Sequence, residues 1–229
     1  MTRKKLLSYS VMLTFLLGGI ILFSFVEKSG FSSDFKGVKS KKVVGFEEGD
    51  IIFQSSMSGQ SYAIQLATNP KYSHCGILLE NKKGELKVLE AIQPVTFTSI
   101  DEFIRRGDNH HYVVKRLKHK EKLITEETLK EMRKLGNSYL GKDYDIQFKW
   151  SDDEMYCSEL VWKVYERTTG IELGIPQPLK SYSLENDVVK QKMEERYGKD
   201  IPWDEPMVAP SSIFEADELE IVKEGQNKL

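Results

Sequence analysis

The chain is poor in the residues that build metal centres and disulfide frameworks. Its 229 residues include two cysteines and four histidines, which do not cluster at the spacings of a zinc site. A formal net charge of −2 also gives no excess of cations that would attract nucleic acid. We therefore expect no metal, no cofactor and no nucleic-acid partner, and two cysteines are too few for a disulfide-rich scaffold.

Charge is absent from one long stretch near the N-terminus. Residues 6–26 read LLSYSVMLTFLLGGIILFSFV, follow the cationic MTRKK, and would span roughly 30 Å of hydrocarbon as a helix. Residues 23–30 (FSFVEKSG) lack the small-residue cleavage site of a secretory signal peptide. We predict a transmembrane anchor at 1–27 with the rest of the chain outside the cytoplasm, because flanking cations stay inside. A cleaved signal and a secreted domain are the alternative.

Residues 28–42 (KSGFSSDFKGVKSKK) have no apolar period and are typical of a flexible linker, and residues 43–229 are predicted to form one domain. Long helices are predicted at 124–141 and 154–168, and the Pro-rich 174–210 is predicted to be irregular and long enough for a lid. Short strands are predicted at GDIIFQSS (49–56), HCGILLE (74–80), ELKVLEAI (85–92), HHYVVKRLK (110–118) and ELEIV (218–222). Strands that cluster in the first half and long helices in the second indicate the α+β class.

One cysteine lies within the helix predicted at 154–168. Apolar residues follow Cys157 at offsets of three, four and seven, which favours an inert thiol on the core face. Its place near the helix N-terminus favours instead a thiolate and a site for a developing oxyanion. Ser151 and Glu154 have capping-box spacing, which would put Cys157 in the second turn. A reactive thiolate therefore requires a later start, near Met155.

Among the histidines, His74 stands apart at the start of an apolar strand. The other three lie in HHYVVKRLKHK (110–120), where cationic neighbours favour a solvated surface. Successive strand side chains point to opposite faces, so we expect Cys75 to enter the core and not to share a site with His74. A Cys75–Cys157 disulfide remains the alternative, because the predicted compartment permits one.

An acidic residue on the next strand is predicted to lie beside His74. The tight turn NKKG makes 74–80 and 85–92 a hairpin, which brings Glu90 opposite the start of the first strand. Glu90 is a lone acid in the apolar VLEAI. A carboxylate there can orient an imidazole and stabilise its cation, as in a Cys-His-acid set. An exposed charge at the strand end is the alternative.

The order GDIIF, YSHCGILLE, VLEAI and KDYDIQFKWSDDEMYCSELVWKVY resembles the YiiX-like group of NlpC-type cysteine peptidases. These are papain-fold enzymes with a circularly permuted chain order, in which the histidine precedes the cysteine. The resemblance covers roughly residues 45–222. It implies Cys157 as nucleophile, His74 as general base and acid, and Glu90 as the residue that orients His74.

The resemblance also implies less specific positions. Tyr156 is expected near the oxyanion, and Asp50 and Tyr144 are expected to line the cleft and contact substrate. Cys75 departs from the family pattern, in which an aliphatic residue more usually follows the histidine.

The resemblance implies a permuted papain-like (NlpC-type) fold, with an antiparallel β-sheet or barrel packed against helices. It implies a thiol hydrolase that cleaves an amide through a thioester, with a peptide or acyl-amide substrate, and the predicted location favours cell-wall peptide. One alternative is a lipid-directed thiol acyl hydrolase or acyltransferase, which shares the same order of catalytic residues. The other is a non-catalytic binding module of the same fold.

Overall fold

The computed structural model of the chain describes residues 45–56, 64–67 and 72–226. All of them belong to one packed unit, Lys39–Leu229. The predicted anchor at 1–27 and linker at 28–42 lie outside the described residues. Within the part that is described, no helix is long and apolar enough to cross a bilayer.

A six-stranded antiparallel sheet forms the centre of this unit, in the order β4-β3-β2-β1-β5-β8. The strands predicted from alternation are all present, which confirms the antiparallel sheet. Two further strands of two residues each pair with one another. The strands are β1 Ile51–Gln54, β2 His74–Glu80, β3 Leu86–Glu90, β4 Thr96–Thr98, β5 His111–Leu117, β6 Gln177–Pro178, β7 Pro206–Met207 and β8 Leu219–Gln226.

Six α-helices accompany the sheet in the described residues. They are α1 Ile100–Arg105, α2 Lys120–Leu123, α3 Glu126–Tyr139, α4 Cys157–Thr169, α5 Asp187–Tyr197 and α6 Pro210–Phe214. Residues 64–67 are also helical. Short 3-10 turns form at Asp108–His110 and Leu179–Ser181. Both long helices are thus confirmed, and the Pro-rich 174–210 contains a helix that the pattern did not predict.

The helix α5 forms because its sequence lies between the prolines of that segment and has its own cap. Asn186 accepts a hydrogen bond from the Val188 N–H at 2.9 Å. Val189 and Met193 then pack with Leu179 in a small apolar cluster apart from the main core. Only this narrow stripe is buried, so the apolar period is too weak to be read from sequence.

The two faces of the sheet carry different layers. Odd-numbered β2 residues, among them Cys75 and Ile77, enter the main core together with Leu160 and Val161 of α4. Leu78, on the opposite face, packs in a second core with residues of α1. This alternation follows from the period of two in a strand. The helix that carries Cys157 therefore packs on the face to which Cys75 points.

Candidate active site

The helix α4 begins at Cys157, with Tyr156 as its N-cap residue. The Glu159 carboxylate accepts a hydrogen bond from the Tyr156 N–H at 3.4 Å, and Gly170 ends the helix in the left-handed conformation. Cys157 is thus the first helical residue, which is the late start that a reactive thiolate requires. The earlier start at Ser151 is wrong. The first-turn N–H groups have no acceptor within the helix, so they favour negative charge at the thiol.

The hairpin β2–β3 places a histidine and a carboxylate side by side. Ile77 pairs with Leu89, so Glu90 follows opposite Gly76 and points to the face on which His74 lies. His74 Nε2 and Glu90 Oε2 are 2.6 Å apart. A Cβ at Gly76 would approach the Leu89 carbonyl oxygen to 2.9 Å, so glycine permits this close pairing. Glu90 is fully buried, and the alternative of an exposed strand-end charge is wrong.

The second oxygen of Glu90 is held by the end of α1. Arg106 donates from Nη2 to Glu90 Oε1, and the Thr98 side chain also lowers the pKa of this carboxylate. Phe103 stacks on the His74 ring, with centroids 5.5 Å apart and planes 23° apart. Sequence reasoning missed Phe103 and Arg106. The capping box at Ser99 signals α1, but nothing in the sequence shows that α1 packs over β3.

Three groups at the start of β2 surround the Cys157 sulfur. The His74 ring, the Cys75 thiol and the Cys75 backbone N–H lie close enough to this sulfur to lower its pKa. Because Glu90 engages His74 Nε2, Nδ1 is the ring nitrogen available to the thiol. The structure therefore brings Cys157, His74 and Glu90 together at one site.

The position of Cys75 differs in part from the one predicted from the sequence. Its side chain does enter the core and is fully buried, as strand parity predicts. That core face is also the face against which α4 packs, so its thiol meets Cys157. The expectation that Cys75 lies apart from the His74 site is wrong. Both cysteines are free thiols, so the alternative of a disulfide is not present.

The charges of the site support one another. The hydrogen bond from the Cys75 thiol outweighs burial and, with the bond and charge of His74, holds the pKa of Cys157 well below the usual thiol value. Burial alone would lower the pKa of His74, but Cys157 and Glu90 raise it to about 10. Burial would raise the pKa of Glu90, but His74 and Arg106 lower it. The site therefore favours a thiolate, an imidazolium and a carboxylate.

An apolar pocket, partly open to solvent, lies beside Cys157. The Tyr156 hydroxyl in its wall accepts a hydrogen bond from the Val208 N–H at 3.2 Å. Two half-buried cations of α5 also border the pocket, and one of them, Arg196, lies 4.2 Å from the centroid of the Phe148 ring. The other lining residues include Ile64, Tyr144, Leu179, Val189, Lys192, Met193 and Met207. The segment 174–210 thus supplies much of the wall.

The less specific predicted positions have mixed outcomes. Tyr156 and Tyr144 both line the pocket, whereas Asp50 does not. Asp50 precedes β1 at the end away from His74, and both its oxygens bond Arg116, at 2.7 and 2.9 Å. This buried carboxylate is fully engaged in a structural ion pair, and its contact with substrate stays a prediction. Its neighbour Glu47 donates a further backbone N–H to it at 2.7 Å.

Residues 45–223 match the sequence model of a family described as a permuted papain-like amidase enzyme, YaeF/YiiX, C92 family. The chain belongs to this family. The permuted order is visible in the chain itself, since His74 on β2 precedes Cys157 on α4. The protein is accordingly a cysteine peptidase/amidase-like hydrolase with a permuted papain-like fold, and the alternative of a non-catalytic module is not supported.

Two relatives of the YaeF/YiiX family are similar over most of their lengths. The "uncharacterized protein YiiX" of Escherichia coli K12 is 45% identical over 177 residues, which cover 77% of this chain and 85% of the relative. The crystal structure of "metalloprotein yiiX" from Escherichia coli O157:H7 has a TM-score of 0.74 and 44% identity, covering 79% of this chain and 98% of that one.

The Escherichia coli O157:H7 protein is called a metalloprotein, which raises the question of a metal in this chain. In the described residues of this chain, no group of three or more His, Cys, Asp and Glu side chains is arranged to hold an ion. The side chains in this described part of the chain therefore do not fit a metal centre, and we assign no step of the reaction to one.

Proposed function

We propose that the protein hydrolyses an amide bond through a Cys157–His74–Glu90 triad and a thioester intermediate. The juxtaposition of Cys157, His74 and Glu90, at a helix N-terminus and beside a pocket, carries this proposal. The Cys157 thiolate attacks the carbonyl carbon, and the His74 imidazolium protonates the amine as it leaves. The neutral His74 then takes a proton from water, and the hydroxide formed cleaves the thioester.

The start of α4 supports stabilisation of the oxyanion. The backbone N–H of Cys157 is at the first helical position, where no carbonyl of the same helix can accept it. Such a donor can bind the negative oxygen that forms when the thiolate attacks. The Tyr156 side chain lies in the adjoining pocket wall and borders the same space.

The proposed setting is outside the cytoplasm, with the domain held by the N-terminal anchor. Residues 6–26 are uncharged and follow three cations, which supports this orientation. Cell-wall peptide is the proposed substrate, because the YaeF/YiiX family is an amidase family and the wall lies on that side of the membrane.

The pocket favours a second candidate, a lipid-directed acyl hydrolase or acyltransferase. Apart from Lys192 and Arg196, the side chains that border it are mostly apolar or aromatic. Such a wall suits a hydrocarbon chain better than a polar peptide, and a membrane anchor would bring the site near acyl lipids. The two cations on α5 are in place to attract an anionic group at the pocket rim.

Product analysis separates the two candidates. The full chain is incubated separately with purified peptidoglycan and with N-acyl and O-acyl lipids, and the products are identified by mass spectrometry. We expect new amine and carboxylate ends from peptidoglycan, whereas release of fatty acid from the lipids would favour the second candidate. Cys157→Ala is the blank, and no product above that blank with any of these substrates contradicts the hydrolase assignment.

Glu90→Gln is expected to reduce kcat/KM about 10- to 100-fold, because an amide cannot stabilise the imidazolium as a carboxylate does. Glu224→Gln is the matched control, since Glu224 Oε1 lies 2.8 Å from His111 Nε2, away from the pocket. The measurement is steady-state kinetics together with the pH dependence of Cys157 alkylation, which should shift upward only in Glu90→Gln. Equal losses of kcat/KM in Glu90→Gln and Glu224→Gln would contradict the assignment of Glu90 to the triad.

The length of the acyl chain of a substrate tests whether the apolar pocket binds hydrocarbon. If it holds an acyl chain, kcat/KM for a series of N-acyl amides should rise about fourfold per added methylene, from about 0.8 kcal/mol of transfer free energy, until the pocket is full. A matched series that ends in a hydroxyl group should show a smaller gain at each length. A rate that does not depend on chain length would contradict the acyl candidate and leave the peptide candidate.

A further inference from the structure

The catalytic steps above leave one thiol of the site without a chemical role. Cys75 is the second residue of β2 and is fully buried, yet its thiol is close enough to Cys157 for each to shift the pKa of the other. Its backbone N–H also contributes to the lowered pKa of Cys157. A resting site that needs only a nucleophile and a base does not require a second sulfur at this position.

We propose that Cys157 and Cys75 form a redox site, in which a hydroperoxide oxidises Cys157 and Cys75 converts the product into a reversible intramolecular disulfide. This inference rests on the proposed function, because it takes the Cys157 thiolate as the reactive group. The disulfide removes the nucleophile and so switches hydrolysis off until a thiol reductant restores it.

Two steps account for all atoms and electrons. The Cys157 thiolate attacks one oxygen of the hydroperoxide, and the O–O bond breaks to leave a sulfenic acid and, after protonation, an alcohol or water. The Cys75 sulfur then attacks the sulfenic sulfur, and the hydroxyl group leaves as water with the Cys75 proton. The two sulfurs together lose two electrons, and the hydroperoxide gains two.

The different surroundings of the two thiols assign their roles. Cys157 borders the pocket, so a small hydroperoxide can reach its sulfur. Cys75 has no exposed surface, so its sulfur reacts with its neighbour and not with solvent. Burial and the adjacent Cys157 thiolate raise the pKa of Cys75, which keeps it protonated in the resting site. Oxidation makes the Cys157 sulfur neutral, and the repulsion that opposed ionisation of Cys75 disappears.

The packing of the two elements permits the bond. Cys75 lies on the strand face against which α4 packs, and both residues lie at the ends of their elements. Since Cys75 and Cys157 are neighbours in the site, the disulfide would join two side chains that already adjoin each other. A sulfenic acid without such a neighbour proceeds to sulfinic acid, which ordinary thiols do not reduce.

Intact-mass measurement of the full chain tests the proposal without any substrate. The native protein is treated with hydrogen peroxide and then denatured in N-ethylmaleimide. We expect the wild type to lose two hydrogens and take up no label, and to take up two labels when it is first reduced with dithiothreitol. Cys75→Ser, which keeps a hydrogen-bond donor, is expected to gain two oxygens on Cys157 and to give at least about tenfold more irreversible product.

Three outcomes would overturn the proposal. They are no oxidation of Cys157, an equal yield of sulfinic acid in the wild type and Cys75→Ser, or a disulfide between two chains. If Cys75→Ser does not fold, as judged by circular dichroism, the mass change of the wild type decides alone. None of these readouts depends on amide hydrolysis. A negative result here would therefore not contradict the proposed Cys157–His74–Glu90 triad, and a negative result in the substrate tests would not contradict the proposed redox site.

Discussion

Cys157→Ala should reduce kcat/KM by at least about 10⁴-fold, to the rate of the buffer blank, because the thioester cannot form without the sulfur. The measurement is product release from the substrate that the wild type cleaves, with far-UV circular dichroism to show that the fold is retained. The change removes little volume, so the site keeps its shape and its binding of substrate. We expect KM to change little and kcat to account for the loss.

Cys157→Ser provides the matched comparison for this result. Serine keeps the geometry of the nucleophile but has a far higher pKa, so it is not ionised by His74. We expect it to be nearly as inactive as Cys157→Ala, which would show that catalysis needs the thiolate and not merely a hydroxyl or thiol group. More than a few per cent of wild-type activity in Cys157→Ala would contradict the assignment of the nucleophile.

His74→Ala should reduce kcat/KM about 10³-fold, since the thiolate loses its counter-ion and the leaving amine loses its proton donor. His111 is a closely matched control. It is also the first residue of a strand and also has a carboxylate oxygen, from Glu224, 2.8 Å from Nε2, but its ring stacks near Tyr72. Steady-state kinetics of His74→Ala and His111→Ala compare two equal changes in volume. Similar losses in both would refute the base assignment.

The pH profile follows from the two pKa shifts. The pKa of Cys157 is lowered, so activity should persist well below the usual thiol range and fall only as pH drops through this lowered value. The pKa of His74 is raised to about 10, so activity that needs the imidazolium should fall as pH rises above about 10. In His74→Ala, alkylation of Cys157 should require a higher pH. An unchanged alkylation profile would mean that His74 does not hold the thiolate.

The hairpin is the part of the site that sequence predicts best. A tight turn and strict alternation fix which residues face one another, so the pairing of His74 with Glu90 follows from local rules. The contact between Cys75 and Cys157 does not follow from them. Strand parity gives the face to which Cys75 points, but which helix covers that face is decided by long-range packing of α4.

The partners of buried polar residues are also hard to predict from sequence when they lie on separate elements. Asp50 lies at the start of the strand predicted at 49–56, a position that suits either a cleft or a structural ion pair. Its partner Arg116 lies on β5, the strand paired with β1, and the sequence gives no register for that pairing. Arg106 likewise reaches Glu90 only because α1 packs over β3. Chemistry between neighbouring strands of a hairpin can be predicted, whereas chemistry between separate elements requires the fold.

The separation of the site along the chain has a consequence for biosynthesis. His74 and Glu90 come from one hairpin, whereas Cys157 begins a helix that follows much later. The groups that hydrogen-bond the Cys157 sulfur lie at the start of β2, so a nascent chain in which α4 has not yet docked carries an ordinary, weakly nucleophilic thiol. Full reactivity therefore arises only when tertiary structure is complete, which protects a partly synthesised or unfolded chain from premature acylation.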